Sequence, residues 1–109
     1  MRTPNTDERR GGFAITRGKG FHVSFENGWT VSVQFGGGNY CDNYDDGIGR
    51  EVKSNPSTTA EVAILSPSGE LIELPDGDTV LGWQTPAQVL SLLIETAERP
   101  SVEALESDK

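Results

Sequence analysis

The stretch Phe21-His22-Val23-Ser24-Phe25-Glu26-Asn27-Gly28-Trp29-Thr30-Val31-Ser32-Val33-Gln34-Phe35 decides the fold. Apolar and polar residues alternate at period two on both sides of Asn27-Gly28, the pattern of two strands joined by a tight turn. A two-residue Asn27-Gly28 turn would set Phe25 opposite Thr30 and oppose apolar to polar along the whole hairpin. A three-residue loop, Glu26-Asn27-Gly28, instead sets Phe25 opposite Trp29, Val23 opposite Val31 and Phe21 opposite Val33. That register gathers the apolar side chains on one face and leaves His22, Ser24, Thr30, Ser32 and Gln34 on the other. It requires a left-handed residue at the end of the loop, and Gly28 suits that position.

Before the hairpin, Phe13-Ala14-Ile15 reads as a short edge strand and Arg17-Gly18-Lys19-Gly20 as a turn; residues 1–12 read as a polar, disordered basic arm. After it, Thr58 to Leu65 reads as a third strand with Ala60, Val62 and Ile64 on one side. Ser66-Pro67-Ser68-Gly69 supplies a turn. A fourth strand is expected over Glu70 to Leu74, pairing Ile72 with Ile64 and Leu74 with Val62. Thr85-Pro86-Ala87-Gln88 is a helix start, with Thr85 as N-cap, Pro86 at N1 and Gln88 closing a capping box. The helix should run from Pro86 to about Glu98, with Val89, Leu90, Leu93, Ile94 and Ala97 as its apolar stripe, and stop before Pro100. Trp83 reads as a core plug beside Leu81 and Val89, and Trp29 also faces the core. The expected architecture is α+β: an antiparallel sheet of about four strands, hairpin and meander, with one C-terminal helix packed on it. It occupies 13–99, with 100–109 as a flexible acidic tail.

One connection is too long for this plan. Gly36 to Ser57 spans roughly twenty residues where about 4–6 are usual. It contains Gly36-Gly37-Gly38, then Asn39-Tyr40-Cys41-Asp42-Asn43-Tyr44-Asp45-Asp46-Gly47, then Glu51. Set on the EF-hand template, Asp42, Asp46 and Gly47 take positions 1, 5 and 6. Position 3 is then Tyr44 and position 12 is Lys53, where a carboxylate is required. The triple glycine is neither GxGxxG nor a Walker A motif. Cys41 and His22 are the single cysteine and histidine, with no local signature of a nucleophile–base pair. No catalytic residue, metal ligand or cofactor is therefore assigned. Tyr40 and Tyr44 among acidic residues do fit a protein-binding loop, because tyrosine gives large contact area at low entropic cost. Tyr40, Asp42, Tyr44, Asp45, Asp46 and Glu51 are the expected partner contacts. A calcium- or nucleotide-binding module using the 36–51 loop is the alternative.

The net charge of −8 over 109 residues is divided unevenly: +3 through Gly20 and −11 from Phe21 onward. An acidic surface repels nucleic-acid phosphates and attracts basic protein surfaces, so a basic protein partner is expected and direct nucleic-acid binding is not. No apolar run is long enough to span a membrane, and one cysteine with no secretory signal reads as cytoplasmic. The runs Asn27 to Phe35, Gly38 to Tyr44 and Leu81 to Pro86 resemble short uncharacterised accessory proteins of bacteriophages and bacterial mobile elements. That resemblance implies a non-enzymatic inhibitor or modulator of a host defence or nucleic-acid-processing complex, as anti-CRISPR proteins are. The strand-rich, one-helix plan is also similar to toxin-immunity proteins.

Overall fold

A computed structural model of the chain describes residues 11–17, 19–45 and 56–100. Five strands, β1 (Gly12–Ile15), β2 (Gly20–Ser24), β3 (Thr30–Gln34), β4 (Ala60–Leu65) and β5 (Leu81–Gln84), precede one helix, α1 (Pro86–Ala97). The strands form one antiparallel sheet in the order β1-β2-β3-β4-β5, a meander in an α+β fold.

The β2–β3 hairpin has the register that its hydrophobic pattern requires. Phe21 pairs with Val33, Val23 with Val31 and Ser24 with Thr30. The Phe25 N–H donates to Trp29 O at 2.8 Å, and Gly28 closes the loop with φ 93°. A side chain at that φ is strained, so glycine sets the loop length and, through it, the face of every hairpin residue. The apolar face so assembled carries the core: Val31, Val33, Ala60, Val62, Ile64, Leu74 and Val89 are buried together. On the opposite face, Ser24 and Thr30 share a hydrogen bond of 2.8 Å and Gln34 bonds both Thr16 and Ser32.

Three expectations fail here. Glu70 to Leu74 is not a ladder strand. Leu71 forms an isolated bridge to Leu65, the Ile72 N–H donates to Ile64 O at 3.0 Å, and the chain then departs through the Pro75–Asp78 turn. Val62 pairs with Leu81 of β5 in place of Leu74, which drops into the core without a ladder position. Second, the buried stripe of α1 is Val89, Leu92, Leu93 and Thr96, rotated from the expected one. Leu90 and Ile94 are 56% and 51% exposed, and Ala97 is exposed as well. Third, Trp83 is no core plug, being 54% exposed.

The rotation of α1 follows from how it is held. Thr85 caps the N-terminus in a complete capping box with Gln88. At the other end no basic side chain stands in the last turn. The hairpin loop does that work instead: the Asn27 amide donates to Thr96 O, Ala97 O and Arg99 O at 2.9, 3.2 and 2.9 Å. Its own oxygen accepts from the Trp29 N–H at 3.0 Å. Trp29 Nε1 donates to Pro100 O, and the Arg99 guanidinium lies 4.5 Å from the Trp29 ring centroid. Buried Thr96 satisfies its hydroxyl within the helix, on Leu92 O at 2.6 Å. With both ends fixed, one at the end of β5 and one at the β2–β3 loop, α1 crosses β5, β4 and β3.

Replacing Asn27 by alanine leaves helix-end carbonyls unpaired and should destabilise the chain by about 2 kcal/mol in urea unfolding. Asn27→Asp should be worse at neutral pH, since it sets a carboxylate against the negative end of a helix. Native contact with those carbonyls favours the protonated form, raising the folded-state pKa. Asn27→Asp should therefore recover stability relative to Asn27→Ala as pH falls through the carboxylate range.

Candidate functional site

The described part of the long connection, Gly36 to Asp45, is a closed local structure. The Asn39 N–H donates to Gly36 O at 3.1 Å, and the Gly36 N–H returns a bond to Asn39 Oδ1 at 3.0 Å. The Gly38 N–H donates to Tyr44 O at 2.9 Å, and Asn43 donates to Phe35 O at 2.8 Å. The amides of Gly36 and Gly38 are thus already engaged within the loop. Cys41 is 1% exposed, and its thiol points at Gly36 O, 3.7 Å away. His22 sits on β2 opposite Ser32, outside this loop. Among the described residues no group of three or more His, Cys, Asp or Glu side chains is placed to hold a metal ion.

Acidic side chains anchor the loop to β4 and to the Thr58–Thr59 segment before it. Glu61, on the face of β4 away from α1, accepts from the Tyr40 N–H at 2.8 Å and from the Asn39 amide at 3.5 Å. Asp42 accepts from the Thr58 hydroxyl and from the Thr59 hydroxyl at 2.8 Å, while its N–H donates to Thr59 Oγ1 at 3.0 Å. The Thr58 and Thr59 hydroxyls hold the Asp42 carboxyl below the ordinary aspartate range.

A β-bulge completes the site. Val62 pairs with Leu81 and Ala60 with Gln84, so Gly82 and Trp83 together oppose Glu61. Trp83 takes φ 51°, a conformation a bulky residue rarely holds and one that tends to be kept at functional positions. Its N–H, freed from the ladder, donates to Tyr40 O at 2.8 Å. Its ring lies against Tyr40, with centroids 5.7 Å apart and planes 16° apart. Tyr44 stacks on the other side of Tyr40 at 5.9 Å and 14°. Near-parallel rings at these separations are offset-stacked, a favoured arrangement. The close approach depends on Gly82, where a Cβ would fall 2.8 Å from Tyr40 Cβ.

The outcome is three aromatic rings in a row, Tyr44–Tyr40–Trp83, exposed by 42%, 47% and 54%, with Asp42 and Asp45 exposed nearby. Of the expected contacts, Tyr40, Asp42, Tyr44 and Asp45 are brought together here, while Asp46 and Glu51 lie outside the described residues. Trp83 and Glu61 were missed. The length of the connection and Tyr40 and Tyr44 among acidic residues marked the loop, but only the bulge brings Trp83 to it, and a bulge leaves no periodic trace in four residues of strand. Comparison with protein-family models, with curated proteins and with solved structures finds no match.

Asp42 has a lowered folded-state pKa, so what its ionised form contributes to anchoring is present above the unfolded-state value and is lost as pH falls through the folded one. NMR titration should place the Asp42 carboxyl below ordinary aspartates, and Thr59→Val should raise it. Gly82→Ala should displace Tyr40 and weaken the near-ultraviolet circular dichroism of the stack, with the far-ultraviolet spectrum retained.

Proposed function

We propose that the chain is a non-enzymatic protein-binding inhibitor or modulator. Its contact surface is the Tyr44–Tyr40–Trp83 stack with its flanking carboxylates, and its partner presents a basic surface. The observation that carries this reading is the stack itself. Three large rings are held out in solvent by a hydrogen-bonded loop and a strained tryptophan, although an apolar core lies one strand layer away. In regular alternation from Leu81, position 83 would fall on the core face; at the bulge Trp83 is exposed instead.

Tyrosine and tryptophan dominate the energetic centres of interfaces because they offer wide, rigid, amphipathic surface. Fixing them in advance lowers the ordering cost of binding. The acidic surround adds attraction toward arginine and lysine, and an arginine can also stack on an exposed ring. The −11 charge of the chain from Phe21 onward extends that field beyond the loop and supports a partner whose groove is basic, such as one shaped for nucleic acid. The sequence likeness to phage accessory proteins fits the same role, an acidic inhibitor aimed at a host defence or nucleic-acid-processing complex.

A photo-crosslinking residue in place of Tyr44, expressed in the native host, should capture one protein with a basic surface. Purified, that protein should bind the chain less tightly as salt rises. Trp83→Ala should weaken the complex about thirtyfold or more while leaving the urea midpoint nearly unchanged. Unaltered affinity with Trp83→Ala and Tyr40→Ala would sink the proposal.

A further inference from the structure

We infer that β1 is a dimerisation strand: two copies of the chain pair antiparallel through it, Phe13 of each opposite Ile15 of the other, with Ala14 on the two-fold axis. This goes beyond the partner-binding reading and uses a different surface.

β1 is the outermost strand of the sheet, joined to it only through β2. The Thr16 N–H donates to Gly20 O at 3.0 Å, which sets the alternation of the ladder. Thr16, Ala14 and Gly12 turn their peptide groups toward β2, and those of Phe13 and Ile15 turn outward. The same two residues carry the most exposed large apolar side chains of the described chain, 81% for Phe13 and 84% for Ile15. Phe13 pairs with Val23 and Ile15 with Phe21, which places both on the helix-bearing face, outside the β3–β5 part that α1 crosses.

Open sheet edges are normally blunted by proline, an inward charge or a bulge. Gly12–Ile15 has none of these. At the other edge, β5 is interrupted by its bulge and by Trp83 in a left-handed conformation.

A second copy is the occupant that fits. Because the outward residues are Phe13 and Ile15, antiparallel pairing about Ala14 is self-complementary. It makes four main-chain hydrogen bonds and two aromatic–β-branched cross-strand pairs, and each copy contributes the same patch. Charge agrees. In the described residues of β1, β2 and their connection, Arg17 and Lys19 are basic and no side chain is acidic, in a chain of net charge −8. Two copies can thus meet here with their acidic surfaces held apart. The contact is short and belongs to the low end of specific interfaces, so a dissociation constant on the order of 10 µM is expected.

Sedimentation velocity across about 5 to 500 µM should show the mass of the 11.8 kDa chain shifting toward twice that value. Hydrogen exchange at the Phe13 and Ile15 amides should slow over the same range. Ile15→Lys should raise the dissociation constant at least about tenfold without changing the fold, since the side chain is exposed in the single copy. Ala14→Cys should give a disulfide-linked dimer joined at residue 14, because Ala14 faces its own symmetry mate, whereas Phe13→Cys should not. A single-chain mass throughout overturns the inference, whether the two amides are protected, so that the chain covers its own edge, or unprotected, so that the edge is free for another protein. Dimers that Phe13→Cys links as readily as Ala14→Cys overturn it too.

Discussion

Asn27 holds the hairpin and the helix to each other. Its amide reaches three carbonyls at the end of α1, about seventy residues away in sequence, while its oxygen fixes the Trp29 N–H in the loop. Helix ends leave carbonyls unpaired, and this chain has neither a basic side chain in the last turn nor a C-terminal glycine to satisfy them. The hairpin loop supplies the cap. The position of α1 over the sheet is therefore set from the three-residue loop, and that loop exists in this length because Gly28 accepts a positive φ. A slip to a two-residue turn would invert the faces of the hairpin and also withdraw Asn27 from the helix.

Once α1 is fixed at both ends, the sheet is divided. Its helix face is covered by α1 over β3 to β5, half-buried at Phe21 of β2, and exposed at Phe13 and Ile15 of β1. Its opposite face carries a polar hydrogen-bonded network on the hairpin, and beside β4 and β5 the loop that holds the aromatic stack. The stack depends on Glu61 twice over: its carboxylate takes the Tyr40 N–H, and its place opposite the bulge is where two residues of β5 meet one of β4. At the bulge the Trp83 N–H leaves the ladder and meets Tyr40 O.

Much of the sheet was legible because strong alternation and tight turns are local signals. The hairpin register, the Ser66–Gly69 turn and the Thr85 capping box can each be read from a handful of adjacent residues. Non-local competition was not legible. Glu70 to Leu74 and Leu81 to Gln84 both carry apolar residues able to pair with Val62, and the distinction lies in which one the chain can deliver while still entering α1 from Thr85. The helix stripe failed similarly. Val89 and Leu93 serve either choice of face, and a pattern containing Leu90, Leu92, Leu93 and Ile94 leaves the rotation to its end contacts. Thr96, polar in sequence, joins the buried side because its hydroxyl bonds back to Leu92 O. At the site, Tyr40, Asp42, Tyr44 and Asp45 stood out as an aromatic and acidic loop without a structural reason to exist. Trp83 looked like core until the bulge turned it outward.

The two ends of the meander solve the edge problem in opposite ways. At β5 the ladder is broken on purpose: a bulge and a left-handed tryptophan spoil the edge for strand addition, and the peptide group released is used to seat Tyr40. At β1 nothing spoils the edge, and the apolar residues above it are uncovered. Since neighbouring strands are consecutive throughout, these ends are three strands apart and share no side chain. A two-fold contact through β1 would leave both aromatic stacks free, at the far ends of a continuous sheet, each with its own acidic surround. Such a dimer would present two equivalent contacts to a basic partner, and weak single contacts gain strongly when a second is held at a fixed distance from the first. A micromolar pairing at β1 would then be enough, because a partner able to reach both stacks would itself favour the paired form.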